Sequence, residues 1–227
     1  GSRLQFANDG TLFVSLGEGF SFMKDAQDPT NTHGTIVRIN TDGSIPADNP
    51  FADGEAGAPA VWSYGHRNVQ GLYYDAATGT LYETEHGPKG GDELNLVTPG
   101  TNYGWPEITY GVNYDGTIIT NKTEAEGMAQ PLTYWVPSTA PSGLVMLTSD
   151  VYPGWKGDLF TGGMNGPAGL ELTRIDMENG EVVGKQSLFD GEYPIRDVVQ
   201  GPDGHLYVAT KDFDGIFRVD IAEAEAE

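Results

Sequence analysis

One motif occurs four times along this chain, and it limits the possible folds more than any other feature. NDGTLFVSLGE (8–18), ATGTLYETEHG (77–87), KGDLFTGGMNG (156–166) and PDGHLYVATKD (202–212) each pass through a turn into Leu-Phe or Leu-Tyr within an alternating strand. A second alternating strand follows each: GTIVRINTDG (34–43), DELNLVTPG (92–100), GLELTRIDMENG (169–180) and GIFRVDI (215–221). Turn-strand-turn-strand is the grammar of antiparallel hairpins. The repeated leucine stands at 12, 81, 159 and 206, unevenly spaced because insertions of different length lie between the units. Repeated four-stranded sheets with variable loops are the signature of propeller blades. The expected class is therefore all-β, a β-propeller of four-stranded antiparallel blades, with about four blades present. A sandwich is the rival architecture, but it would not need the same hairpin four times with long one-sided insertions.

Partner strands are expected before the hairpins: 60–64 and 69–74 before the second, 144–148 before the third and 195–200 before the fourth. No window holds a sustained 3.6-residue apolar stripe, so helix should be scarce. The insertion 101–142 is rich in Gly, Asn, Tyr and Pro. Its aromatics (Tyr103, Trp105, Tyr110, Tyr114, Tyr134, Trp135) argue for an ordered, pocket-building loop. Residues 1–221 are read as one partial propeller and 222–227 as a polar tail.

Composition narrows the function. At 227 residues the chain can bury a sizeable core, and its 32 glycines and 14 prolines suit many tight turns. A net charge of −21 excludes nucleic acid as partner, which needs a basic stripe. Such acidity serves solubility or an affinity for cations. The absence of cysteine excludes disulfides, thiol catalysis and zinc-thiolate sites. No apolar run reaches the length of a membrane span. No Ser-His-Asp order, P-loop or dinucleotide fingerprint stands out, which removes the usual hydrolase, kinase and nicotinamide readings.

The densest polar stretch is 62–106. His66-Arg67-Asn68 follows Gly65, so Arg67, Asn68 and Gln70 cluster at a strand end. They either grip a carboxylate-bearing ligand or pair with acids to pin two blades together. Glu85-His86-Gly87-Pro88 and Gly90-Gly91-Asp92-Glu93 combine free carbonyls with carboxylates. Calcium takes such donors, and a solvated acidic turn is the alternative. His86 is a base, a ligand or a packed ring, and His33 is equally open. Arg196-Asp197 is either a blade-closing ion pair or a cation for an anionic ligand.

In this order, YGHRNVQG, ETEHGPKGGDELN and NYGWPEITYG resemble the soluble quinoprotein sugar dehydrogenases. This is the glucose/sorbosone dehydrogenase family, and within it the bacterial aldose sugar dehydrogenases. GTIVRINTDGSIPADNPF, APSGL and IRDVVQGPDGHLY fit the same pattern, so the resemblance covers residues 1–219. It implies a six-bladed propeller that holds pyrroloquinoline quinone (PQQ) and Ca2+ on one face and oxidises aldose sugars. By matching positions, Arg67, Asn68 and Gln70 would hold PQQ, and Arg196 would add a further cation. The carbonyls of Gly87 and Pro88 would bind the calcium beside it, with Asp92 close by. Glu93 and Tyr103 resemble ligands of an additional, structural calcium. The family's catalytic histidine lies upstream of a stretch like Gly1-Ser2-Arg3-Leu4-Gln5-Phe6, so the base is expected before Gly1. His86 stands where some relatives carry Gln, and Pro194 where some carry Arg. Four hairpins against six blades imply a fragment with unpaired edges. Such a fragment forms an open arc, a rearranged ring or a homo-oligomer through its blade edges. A periplasmic or secreted location belongs to this reading, with the electron acceptor open. A non-catalytic calcium-binding propeller is the alternative.

Overall fold

The computed structural model describes residues 2–165, 169–212 and 215–222. Gly1, Gly166 of the third motif and most of the expected polar tail lie outside them. The chain divides into two compact units, Gly1–Pro141 and Ser142–Glu227. Every sheet is an antiparallel meander whose spatial order equals its chain order, the form of a propeller blade.

The first unit carries two such sheets. One is formed by β1 (Leu4–Phe6), β2 (Leu12–Leu16), β3 (Thr35–Ile39) and β4 (Val61–Tyr64). The other is formed by β5 (Val69–Asp75), β6 (Thr80–Glu85), β7 (Asp92–Val97) and β8 (Thr133–Trp135). The second unit carries β9 (Pro141–Met146), β10 (Leu159–Gly163), β11 (Leu172–Glu178) and β12 (Glu181–Leu188) in one sheet. Its other sheet has three described strands, β13 (Ile195–Gln200), β14 (Leu206–Thr210) and β15 (Gly215–Arg218). A 3-10 turn at Met23–Gln27 is the one helical element among the described residues, as the sequence leads one to expect. No helix among them is long and apolar enough to cross a membrane.

The repeated Leu-aromatic pair is the core of each hairpin. Leu81, Tyr82, Leu159, Phe160 and Leu206 are buried, and Phe13 takes the same place in the first repeat. In the first unit, Phe13 packs with Ile36, Leu72, Leu81 and Val97 between the two sheets. Its ring meets Trp62 edge-on at 5.3 Å and stacks with Tyr74 at 6.3 Å. Polar ties join the same sheets: Arg3 Nε donates to the Gln70 carbonyl at 2.6 Å, and Glu18 N–H donates to the Arg67 carbonyl at 2.9 Å. In the second unit, Ser142 Oγ donates to the Ile195 carbonyl at 2.7 Å. Gly143 is required beside it, because a Cβ there would lie 1.9 Å from Asp197 Oδ1.

Two expectations need correction. Residues 60–64 supply β4, the last strand of the first sheet, and not a strand of the second. A lone strand between two hairpins has no local signal for which one it joins, and here pairing with β3 decides it. The pattern also gave no sign of β12. Its residues are exposed or half-buried, so little apolar alternation marks it.

Replacing Phe13 with Ala removes a buried ring that packs against both sheets. Urea denaturation should show a loss of about 3–5 kcal/mol in the first unit. A loss under about 1 kcal/mol would mean that this cluster does not hold the two sheets together.

Candidate functional site

The site is built where the chain crosses from the first sheet to the second. β4 ends at Tyr64 and β5 starts at Val69. Gly65 (φ 78°) turns the backbone between them, and a Cβ there would lie 2.2 Å from Asn102 Oδ1. This crossover presents His66, Arg67 and Asn68 in sequence. The Glu85 carboxylate at the end of β6 fixes it, accepting the N–H groups of Arg67 at 2.5 Å and Asn68 at 3.2 Å. His86 N–H returns a bond to the Asn68 carbonyl at 3.1 Å.

Arg67 is 6% exposed. Its Nη1 donates to the carbonyls of His86 at 2.8 Å and Gly87 at 3.0 Å, and Nη2 lies 3.4 Å from the Tyr114 hydroxyl. The guanidinium also lies over the rings of Trp105 and Tyr114, 5.4 and 5.8 Å from their centroids. No carboxylate stands within ion-pair distance of it among the described residues. Arg67 thus does not pin two blades through an ion pair with an acid among the described residues. Arg67 and Asn68 face a cleft of about 430 Å³ with Ser2, Gly17, Glu18, Gly19, Phe20 and Tyr114. Gln70 stands behind, its Nε2 donating to Asn68 Oδ1 at 3.0 Å. Gln70 therefore orients Asn68 from outside the cleft lining.

Sequence reasoning did not single out Phe20 or Glu18, and it named Tyr114 only among the aromatics of the pocket-building insertion. Phe20 and Tyr114 are exposed at the rim and stack at 6.4 Å. Glu18 is buried, and its Oε2 has no hydrogen-bond partner. Burial pushes its carboxyl up from the usual range, and the Arg67 charge pulls partly against this. An acid between two glycines, Gly17-Glu18-Gly19, just past an alternating strand was the available signal.

The following loop is pinned by Asp92. Its carboxylate accepts the N–H groups of Gly87 (2.9 Å), Thr139 (2.7 Å) and Ala140 (2.9 Å), and the Ser138 hydroxyl at 2.7 Å. Ala140 is held at φ 51°, a left-handed conformation that costs a residue with a side chain. Gly87 has to be glycine, since a Cβ would lie 2.2 Å from the Gly90 carbonyl oxygen. His86 lies within hydrogen-bond distance of the Pro141 carbonyl (Nε2···O 2.7 Å), so its Nε2 carries the proton and the ring is a packed one. Beside the loop is a void of about 10 Å³, lined by Glu85, Gly87, Glu93 and Tyr103 among others. That is room for one small ion or water. His33 pairs with Asp25 at 3.0 Å and stacks on Phe22. Arg196 is exposed on β13 of the second unit.

Under this loop lie His66, Glu83 and Glu85, all buried. Asn95 Nδ2 bridges Glu83 Oε1 (2.8 Å) and Glu93 Oε2 (3.2 Å). Burial and the Glu85 charge push the Glu83 carboxyl up to about 7. Glu93 is raised as well, by burial and then by Glu85. Burial disfavours a charged His66, but Glu83 and Glu85 outweigh it and lift the ring to about 9.

With this geometry in hand, the relatives are decisive. The sequence model of the Glucose / Sorbosone dehydrogenase family matches residues 1–219. The chain belongs to this family. It is 42% identical over 220 residues to the aldose sugar dehydrogenase YliI of Escherichia coli, covering 95% of this chain and 58% of that protein. The crystal structure of a glucose dehydrogenase superposes with a TM-score of 0.90 at 40% identity, over 97% of this chain and 64% of that one. The PQQ-bound aldose sugar dehydrogenase of Streptomyces coelicolor gives 0.72 at 32% identity, over 97% and 57%. The sheets are thus blades of the propeller that the glucose/sorbosone dehydrogenases share. The chain spans 54–58% of the length of the relatives it matches almost throughout.

The buried acids make a signed prediction for this member of the family. Glu83 rises from 4.5 to about 7 on folding and His66 from 6.5 to about 9, so the folded state holds the extra protons. Stability is then full below the unfolded values and is lost as pH rises through the folded ones. In metal-free protein, urea midpoints should fall between about pH 5 and 9, with a loss of a few kcal/mol in total. A flat or rising profile would contradict the arrangement.

Proposed function

We propose that this chain is part of a quinoprotein oxidoreductase that oxidises the anomeric carbon of aldose sugars to lactones. The observation that carries this reading is Arg67. It is a buried guanidinium opening on a cleft, with carbonyls as its close partners and no carboxylate within ion-pair distance among the described residues. Such a group favours a ligand that brings its own carboxylate. A planar tricarboxylate such as PQQ matches the donor set. Arg67 and Asn68 would hold its carboxylates and carbonyls, Gln70 would keep Asn68 turned toward it, and the Phe20–Tyr114 rim would offer an aromatic face. The cleft volume suits a small-molecule site.

The calcium donors fit as well. Gly87 and Pro88 are both buried, and Asp92 holds the Gly87 backbone in place. With its two oxygens engaged by the loop, Asp92 would serve the calcium by shaping that loop. Glu93 and Tyr103 border the ion-sized void and would hold the structural calcium. When bound, PQQ with calcium supplies a two-electron acceptor for the hydride leaving the anomeric carbon. Glu18, buried opposite Arg67, would hold or release a proton at its Oε2 inside the cleft. None of the described residues is assigned as the base that takes the sugar hydroxyl proton. An aldose substrate, a periplasmic or secreted location and pairing between exposed blade edges belong to the same reading.

Titration of the chain with PQQ plus calcium, followed by absorbance and thermal shift, tests the proposal. Saturable binding is expected, weakened about 10–100-fold by Arg67→Ala through loss of one charge-assisted contact. A shift with calcium and none with PQQ would leave a calcium-binding module and overturn the quinoprotein reading.

A further inference from the structure

We propose that His66, Glu83 and Glu85 form a buried binding site for a divalent transition-metal ion. It is distinct from the oxygen-donor calcium positions and independent of any reading of the cleft. One ligand atom from each of the three lies within 4.8 Å of the others. His66 Nδ1 stands 3.6 Å from Glu83 Oε1 and 3.6 Å from Glu85 Oε1. That is too long for hydrogen bonds. It is the separation of ligands around a shared ion, since bonds of about 2.0–2.2 Å in a tetrahedron put neighbouring ligands about 3.3–3.6 Å apart.

The second observation is an orphaned atom. His66 is fully buried, yet Nδ1 has no hydrogen-bond partner. Its other nitrogen, Nε2, lies 2.9 Å from Ser63 Oγ. Nδ1 and the two carboxylate oxygens need a positive charge between them. In metal-free protein that charge is the imidazolium proton, and a divalent ion would displace it, with Nε2–H then donating to Ser63. A hydrogen bond that fixes the tautomer of a ligating imidazole is the usual outer support of a metal site. Glu83 Oε2 is also buried without a partner, so this carboxylate has a second oxygen to give.

The scaffold places the three groups rigidly. Glu83 and Glu85 are two apart on β6 and so share one face. Asn95 holds one Glu83 oxygen, and the Arg67 and Asn68 amides hold the Glu85 oxygen that turns away from His66. The Tyr103 ring stacks on His66 at 4.6 Å and 19°. An imidazole nitrogen with two carboxylates suits Zn2+, Mn2+ or Co2+, whereas calcium takes oxygen ligands alone. A divalent ion would also offset the concentration of buried negative charge from Glu83, Glu85 and the nearby Glu93.

The test needs neither PQQ nor sugar. The chain is dialysed against a chelator and titrated with Co2+, reading visible absorption, stoichiometry by elemental analysis and paramagnetically shifted imidazole resonances by NMR. One equivalent of Co2+ is expected, with a shifted His66 ring signal, displaced by Zn2+ and not by excess Ca2+. His66→Gln and Glu83→Gln should each weaken Co2+ at least about 100-fold, while Glu126→Gln, at an exposed position, should leave it unchanged. Absence of stoichiometric binding overturns the proposal. So does unchanged affinity in the folded His66 variant, or displacement by calcium. If the variants do not fold, wild-type chain that binds Co2+ without a shifted histidine signal overturns it equally.

Discussion

The carboxylate of Glu85 is the constraint on which the rest of the site depends. It ends β6 and caps the two backbone N–H groups, of Arg67 and Asn68, that start the neighbouring strand. Buried amides left without acceptors would cost about 1–3 kcal/mol each. The crossover between the two sheets of the first unit is therefore locked to the strand that leads into the loop shaped by Asp92. Arg67 then reaches back to the His86 and Gly87 carbonyls of that loop. Backbone bonds one way and side-chain bonds the other make the clamp and the loop one rigid body, before any ligand arrives.

Charge is distributed in the same spirit. Most acids of this chain are solvated and keep it soluble. A small number are taken out of water, and of these Glu83 and Glu85 lie together under the crossover. Glu83, Glu85 and Glu93 surround a single imidazole, and such a cluster is costly unless a cation or protons compensate it. The propeller tolerates it because the strands hold each carboxylate with amide donors on at least one side. Asp92 shows the opposite solution, a buried acid saturated by backbone and hydroxyl donors and used to shape a loop. Burial of an acid thus serves two ends within a few residues of β7.

Most of the fold was legible in the sequence because the repeated Leu-aromatic pair at 12, 81, 159 and 206 is the core itself. Where the sequence misled, the physics was non-local. Residues 60–64 could pair with either neighbouring hairpin, and β12 faces solvent too much to carry an apolar pattern. Of the site, Arg67, Asn68, Gly87 and Asp92 stood out because planar donors, free carbonyls and acids fall together around short turns. Glu18 did not, and Tyr114 stood out only as one aromatic of a pocket-building insertion, since a glycine-flanked link and a long insertion are brought to Arg67 by the fold alone. Glu83 was hidden for another reason. In LYETE it occupies an alternating polar position that normally faces water, and the sheet packing turns it inward.

If the Glu85 lock organises the site, its removal should be felt by a ligand that never touches it. The direct measurement is the affinity of Glu85→Ala for PQQ at saturating calcium, with amide hydrogen exchange of Arg67 and Asn68 read on the same protein. The account predicts fast exchange at both amides and binding at least about 10-fold weaker in a chain whose sheets remain folded. Fast exchange with unchanged affinity would contradict it, because the clamp would then not need the carboxylate that holds it.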